Sequence, residues 1–315
     1  MNRLSRPTVR MCSFLILLLL VLTSTPFAQQ VGDSDWEPRV DDPKFEMGQG
    51  PRVLVDAAHN NFHTIEGRFG AFAELLTKDG YRVESVAETA HAELFSGADI
   101  FVVANALGAH DSTWALPTPK AFTKAEIDAI EAWVRQGGSL WLIADHMPFP
   151  GAVEDLALAL GIVFHNGFAM SDRQNGTAVF DRDSKTLFDH AITKGQHASE
   201  SVPYVRSFTG QAFRSNVPVE PLMAVPDDWR VLLPEKAWDF KPETPYISAR
   251  GLLQGAVFKH GKGRVAVFGE AAMFTAQSTT RGDVVYRAGM NHPEAPHNAQ
   301  FVLNVAHWLS PTRQP

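Results

Sequence analysis

Short runs of apolar residues alternate with segments of helical periodicity through the first half of the chain. Strands are predicted at residues 52–57, 81–86, 99–105 and 140–144. Helices are predicted at residues 67–78, at residues 123–136 and at residues 153–160. Thr123 and Glu126 form a capping-box pattern at the start of the second helix. Strands that alternate with helices, and that are apolar on both faces, are typical of a parallel, doubly wound α/β sheet.

The second half of the chain has a different pattern. Across residues 164–246, short apolar runs are interrupted by Pro, Gly, Asn and Asp, which predicts an insertion rich in β-strands or loops. Residues 252–260 and 264–269 predict an antiparallel hairpin around the turn at residues 260–263. A long polar loop is expected after it, followed by an amphipathic helix from Asn298 to Leu309.

The N-terminal segment has the pattern of a signal peptide. Three arginines precede an apolar run at residues 14–22, and small residues follow up to Ala28. We therefore expect a signal peptide at residues 1–28 cleaved near Ala28, a flexible polar leader at residues 29–50, and one domain at residues 51–310. The apolar run is too short to span a bilayer, and no other stretch could do so. The mature chain is expected to be exported, periplasmic or secreted, without a membrane span.

Composition excludes several classes of function. The single cysteine, Cys12, lies in the predicted signal peptide, so the mature chain would have no disulfide, thiolate nucleophile or thiolate metal site. The formal net charge is -7, whereas a nucleic-acid-binding protein typically has an excess of basic residues. The expected partner is a small-molecule or carbohydrate-like ligand.

Four ordered phrases carry a resemblance to a known family: DAAHNNFH before a helix that ends LLTKDGY, then AIEAWVRQGGSLWLIAD, GRVAVFGEAAMF and HNAQFVLNVAHWL. Together they resemble the class I glutamine amidotransferase-like superfamily, and within it an exported bacterial branch related to trehalose-utilisation-type proteins. The resemblance implies a flavodoxin-like, doubly wound parallel sheet. Catalytic amidotransferases have a cysteine on a sharp turn after a buried strand, where this chain has Asp145, His146 and Met147. Glutamine amidotransfer is therefore excluded.

Polar residues follow four of the predicted strands. Because ligands bind beyond the carboxyl ends of parallel strands, we expect these residues to form one site. Three candidate catalytic groups are Asp145, His146 and Glu270. The candidate binding residues are Asp56, Asn60, Asn105, His110 and Asn298. The candidate ligands for a divalent metal such as zinc are His59, His63 and His146.

Each of these residues also has a structural interpretation. Asp56, Asp145 and Glu270 follow strands, where carboxylates commonly cap a loop or helix, and His110 lies in a loop. Two functions remain open. The first is hydrolysis of a small or carbohydrate-like substrate, with or without the assistance of a metal, and the alternative is a non-catalytic ligand-binding or scaffold module of the cell envelope.

Overall fold

The structure is a computed structural model, and it describes residues 30–110, 113–171 and 176–311. The predicted signal peptide, with Cys12 and Ala28, lies outside these residues. The strands are β1 (Val31–Gly32), β2 (Arg52–Asp56), β3 (Arg82–Val86), β4 (Ile100–Ala104), β5 (Ser139–Ile143), β6 (Ile162–Phe164), β7 (Phe168–Met170), β8 (Ala178–Asp181), β9 (Tyr204–Ser207), β10 (Phe213–Ser215), β11 (Glu220–Ala224), β12 (Arg230–Leu232), β13 (Tyr246–Ser248), β14 (Leu253–His260), β15 (Gly263–Phe268), β16 (Ala276–Arg281) and β17 (Val284–Gly289). The helices are α1 (Gly70–Lys78), α2 (Lys124–Gln136), α3 (Phe149–Ala152), α4 (Glu154–Ala159), α5 (Ala191–Lys194) and α6 (Asn298–Leu309).

The central sheet contains five parallel strands in the order β3-β2-β4-β5-β15. This is the 2-1-3-4-5 order of flavodoxin-like folds, and it confirms the predicted fold class. Antiparallel strands β14, β10 and β6 extend the sheet beyond β15, and β11 also pairs with β14.

Helices cover both faces of this sheet, as the apolar strands require. Along β5, Trp141 and Ile143 pack into the core that α1 and α6 cover, whereas Leu140 and Leu142 pack into the core of α2 and α4. Successive side chains of a strand point to opposite faces, so an uninterrupted apolar run fills both cores. The predicted capping box of α2 is present: Glu126 N donates to Thr123 Oγ1, and Thr123 N donates to Glu126 Oε2. Among the described residues, no helix is long and apolar enough to cross a membrane.

Residues 30–50 differ from the predicted flexible leader. β1 pairs with β16, and Trp36 and Phe45 pack against the core. The amide nitrogens of Phe45 and Gly50 donate to the carbonyl oxygens of Asp79 and Gly80. The flexible leader was predicted because acidic and proline residues dominate the composition of this segment. The prediction was wrong because a few aromatic side chains and backbone hydrogen bonds hold the segment against the domain.

The predicted hairpin and final helix are present as β14, β15 and α6. The prediction of a long polar loop between them is partly wrong, because this part of the chain contains the β16–β17 hairpin. Threonine, serine and arginine give β16 a polar sequence without an apolar run, so the periodicity did not reveal it.

The segment at residues 164–246 contains strands β7 to β12 and helix α5, and β13 begins at its last residue. Strands β10 and β11 join the central sheet, whereas β7, β12 and β13 form a separate three-stranded sheet. The connection between β12 and β13 brings Trp238 to His146, which follows β5, and brings Phe240 to Phe168 on β7. This part of the chain therefore contributes to the strand-end site.

Candidate functional site

The structure brings together the polar residues that follow the parallel strands. Asp56 ends β2, Asn105 follows β4, Asp145 follows β5 and Glu270 follows β15. All four side chains are buried. Asp145 N donates to Asn105 Oδ1 over 2.9 Å, which ties the ends of β4 and β5 together.

Asn105 joins two parts of the site through one side-chain amide. Its Oδ1 accepts from Asp145 N, and its Nδ2 donates to His63 Nδ1 over 2.9 Å. Its φ angle is 50°, a left-handed conformation that asparagine tolerates better than most residues. Asn105 therefore positions other residues, with both polar atoms of its side chain already paired.

Replacing Asn105 by glycine is expected to destabilise the protein by about 2–4 kcal/mol, because a buried N–H and a buried ring nitrogen lose their partners. Glycine accepts the left-handed backbone without strain, so the loss measures the hydrogen bonds. Asn60 is the matched control: its φ is 47°, its side chain is exposed, and its amide makes one long bond to Leu107 O. Asn60→Gly should cost no more than about 1 kcal/mol in urea unfolding. Equal losses in the two variants would contradict the positioning role.

His59 lies between two carboxylates. Its Nδ1 is 2.9 Å from both Asp56 oxygens, its Nε2 is 2.8 Å from Glu126 Oε1, and its ring lies 4.0 Å from the Phe122 ring. Burial opposes the charged ring, but the bonds to Asp56 and Glu126 outweigh it and raise the pKa of His59. Both ring nitrogens face acceptors, so this histidine is held as a buried cation within the fold.

His63 has the opposite electrostatic environment. Burial, with the nearby charges of Arg68 and His146, lowers the pKa of His63 to about 3. Because Asn105 donates to Nδ1, the neutral ring carries its proton on Nε2. That Nε2 is buried and has no partner among the described residues. The site therefore contains an unused donor close to His146.

Asp145 and Glu270 form a buried carboxyl pair engaged by the backbone. Asp145 accepts from the amides of His146 and Ala271, and Glu270 accepts from the amides of Ala272 and Met273. Burial raises the pKa of Asp145. Burial, and then the charge of Asp145, raises the pKa of Glu270 well above its ordinary value. These contacts make both carboxyls caps of the turns after their strands.

His146 lies within a cluster of aromatic rings. It stacks on Phe168 at 4.6 Å with an interplanar angle of 13°, and Trp238 meets it edge-on at 4.7 Å. Phe149 and Trp114 lie farther out, at 5.8 and 6.2 Å. His146 Nδ1 donates to Met147 O over 2.7 Å, so the neutral ring presents Nε2 as an acceptor. That Nε2 has no partner among the described residues. It is also not fully buried, so solvent or a ligand can reach it.

Trp238 is the main aromatic residue that the sequence did not reveal. It is 50% exposed, has a φ of 68°, and also contacts the Phe168 ring at 4.7 Å. Nothing in the local sequence distinguishes it from other loop tryptophans, and its partners are distant in the chain. The contact of Glu126 with the site was also missed. The capping box already explained a glutamate at this position, and nothing in the local sequence pointed to His59.

Three predicted binding residues lie apart from this arrangement. Asn298 is buried, but its amide bonds the backbone of Arg206 and Met273, so it holds β9 against α6. His110 and Asn60 are exposed in loops. None of the site contacts described above involves His110 or Asn298.

The predicted metal ligands do not form a metal-binding group. Among the residues that the structure describes, no three His, Cys, Asp or Glu side chains are grouped so that they could hold a metal ion. Both ring nitrogens of His59 already bond carboxylates, and His63 Nδ1 bonds Asn105. Binding of a divalent metal such as zinc stays a prediction, without a ligand set in this part of the chain.

Two open clefts lie in other parts of the surface. One, of about 590 Å³, is lined by residues that include Arg182, Tyr204 and Arg206. The other, of about 650 Å³, lies between residues 30–36 and residues 65–74. Neither is lined by His146 or Trp238.

The chain matches no protein-family model, and a search of curated proteins finds no match either. Solved structures do resemble it. The mmIFT52 N-terminal domain aligns with a TM-score of 0.55 and 13% identity, over 82% of this chain and 96% of that one. A ThuA-like protein from Bacteroides uniformis aligns with a TM-score of 0.44 and 13% identity, over 86% and 94% of the two chains. A ThuA-like protein from Parabacteroides merdae gives 0.42 and 10%, over 84% and 92%. At these identities the likeness concerns the fold alone.

Proposed function

We propose that this chain binds a small, sugar-like ligand at the carboxyl edge of its parallel sheet. The observation that carries the proposal is the His146 ring, which stacks on Phe168 beside the half-exposed Trp238 and whose Nε2 has no partner among the described residues. Ligand sites are mostly apolar, with a few polar groups that fix orientation. A sugar ring has an apolar C–H face that packs on aromatic rings, and its hydroxyls need donors and acceptors.

Two polar groups suit those hydroxyls. His146 Nε2 is an acceptor, and the Nε2–H of His63 is a buried donor without a partner among the described residues, which a ligand reaches only if the side chains that cover it move. The low pKa of His63 keeps its ring neutral. A donor on one ring and an acceptor on the other suit the hydroxyls of an uncharged polyol, because each hydroxyl can both donate and accept a hydrogen bond.

Binding is better supported than catalysis because the carboxyl groups of the site are already occupied. Asp145 and Glu270 accept backbone N–H groups, and Asp56 and Glu126 hold His59. Export to the periplasm or beyond, as proposed from the N-terminal segment, would expose such a site to envelope or extracellular sugars.

A screen of neutral mono- and oligosaccharides by thermal shift tests the proposal. We expect at least one sugar to raise the melting temperature of the wild-type protein and to have no effect on His146→Phe, which keeps an aromatic ring but loses the acceptor. The His91→Ala variant, altered at a half-exposed histidine outside the site, should respond like the wild type. A panel without any shift, or an equal shift in His146→Phe, would refute the proposal.

Hydrolysis of the same class of ligand is the second candidate function. The bond from Nδ1 to Met147 O fixes the His146 ring and leaves Nε2 available, which is the arrangement of a general base. Release of product from chromogenic glycosides and esters, lost in His146→Phe, would favour hydrolysis. Binding without turnover would favour the binding module.

A further inference from the structure

Among the strands that the structure describes, the β16–β17 hairpin has one edge without a partner. It belongs to a three-stranded sheet in the order β1-β16-β17. The β1 edge is covered: a Cβ at Gly32 would lie 2.9 Å from Gly67 O, and Arg68 Nη2 donates to Gln30 O over 2.7 Å. No described strand pairs with the outer edge of β17. An exposed edge of this kind is a template for pairing with another strand.

The exposed end of β17 is apolar on both of its faces. Val284, Val285 and Tyr286 are consecutive, and they are 52%, 47% and 54% exposed. Successive side chains alternate between faces, so burying one face of the hairpin could not cover all three. A strand added along the edge would place side chains beside those on both faces.

The backbone of β17 has a defined outward set of hydrogen-bonding groups. The two-residue turn makes Arg281 and Val284 a directly opposed pair, and Met290 N donates to Thr275 O. In an antiparallel pair these groups alternate in direction, so the even-numbered residues of β17 face β16. The N–H and C=O groups of Val285 and Arg287 therefore point away from the sheet, where a second strand would need them.

We propose that β17 pairs with β17 of a second copy of this chain, antiparallel and about a two-fold axis at Val285. Around that axis the sequence at residues 283–287, DVVYR, is complementary to its own reverse. Val285 lies opposite Val285, and Val284 lies opposite Tyr286. Asp283, the turn residue that immediately precedes β17, then lies in each copy beside Arg287 of the other. The partner is a second copy because each charge and each apolar side chain then meets its complement.

The charges select this register over its neighbours. Moving the axis by one residue places Asp283 opposite Val285 or opposite Gly289, and both charges lose their partners. Opposite charges across a strand pair stabilise it, and like charges destabilise it. Arg287 Nε lies 3.7 Å from Asp33 Oδ2 within its own chain, but its side chain is 48% exposed and remains accessible. The dimer joins two three-stranded sheets into one six-stranded sheet.

Sedimentation velocity of the full protein over a range of concentrations tests this pairing. The wild type should change from one chain to two as the concentration rises. Asp283→Arg and Arg287→Asp each place like charges opposite one another, and each should weaken self-association at least about tenfold. An equimolar mixture of the two variants should dimerise again. In the mixed pair, one strand carries two positive charges and the other two negative charges, so opposite charges meet at both positions.

If the mixture dimerises again, the single variants had lost strand pairing and not their fold, because two misfolded variants would not restore each other's dimer. Val285→Thr, which keeps a branched neutral side chain, is the matched control and should dimerise, whereas Val285→Lys should not. A wild type that stays monomeric at every concentration would overturn the proposal. A dimer unaffected by either charge variant would also overturn it.

Discussion

Replacing His59 by alanine is expected to destabilise the protein by about 3–5 kcal/mol, because it removes the shared partner of two buried carboxylates. The side chains of Asp56 and Glu126 are only 1% and 10% exposed, and each lies within 2.9 Å of a ring nitrogen of His59. Without the imidazolium the two negative groups stay buried near each other. The tilted ring contact with Phe122 is lost as well. Chemical denaturation of the wild type and variant measures the difference.

The chain contains a matched control for this change. His91 is also held between two carboxylates, with Nε2 2.6 Å from Glu88 and Nδ1 3.0 Å from Glu93, but its side chain is 39% exposed. Water can solvate those glutamates after the histidine is removed, so His91→Ala should leave the unfolding midpoint nearly unchanged. Equal effects of the two variants would contradict the claim that burial makes the His59 cluster stabilising.

The same cluster predicts how the stability gap between wild type and His59→Ala depends on pH. The pKa of His59 is raised on folding, so its contribution is complete below the unfolded value of about 6.5 and is lost as pH rises through the folded pKa. For Glu126, burial favours the neutral acid, but bonds from Thr123 and His59 prevail and lower the pKa. Its contribution is present above about 4.3 and is lost as pH falls through the folded pKa. The gap should be largest between these limits, and a gap that is constant from pH 4 to pH 9 would contradict this linkage.

Replacing Trp238 by alanine is expected to weaken ligand binding about 10- to 100-fold, or roughly 1.4–2.8 kcal/mol, as is typical of an aromatic anchor. The ring contacts both His146 and Phe168 at 4.7 Å while half of its surface remains open. Trp238→Phe should retain part of the affinity. Titration calorimetry with the sugar identified by the screen gives the dissociation constants.

Tyr246 provides the control for that experiment. It is an aromatic residue on β13, 55% exposed, and Arg230 lies over its ring at 4.6 Å. Tyr246→Ala removes an exposed aromatic ring from the strand that follows the connection carrying Trp238, so it should change the affinity less than about twofold. If both variants bind alike, Trp238 does not contact the ligand.

The sequence predicted the sheet and the meeting of the strand ends because both follow from local patterns. Apolar runs gave β2, β4 and β5, and the parallel arrangement brings Asp56, Asn105 and Asp145 to one edge. Each position is fixed by the strand before it. The edge on which these residues meet could therefore be predicted without knowledge of any long-range contact.

The chemistry of that edge depends on contacts that local patterns do not encode. Whether His59 is a metal ligand or a buried cation depends on Glu126, which lies 67 residues away on α2. The surroundings of His146 depend on Trp238, on a connection with no regular periodicity. Hence the histidines were identified, while their partners and charge states were not.

The measurement that tests the ligand site most directly is a histidine side-chain nitrogen NMR spectrum of the protein, recorded with and without the sugar identified by the screen. The His146 signals are assigned from their loss in His146→Phe. We expect saturating ligand to shift the Nε2 resonance of His146, while the signals of His91, whose ring bonds only Glu88 and Glu93 among the described residues, stay in place. A ligand that saturates the protein and leaves the His146 signals unchanged would contradict binding at this edge of the sheet.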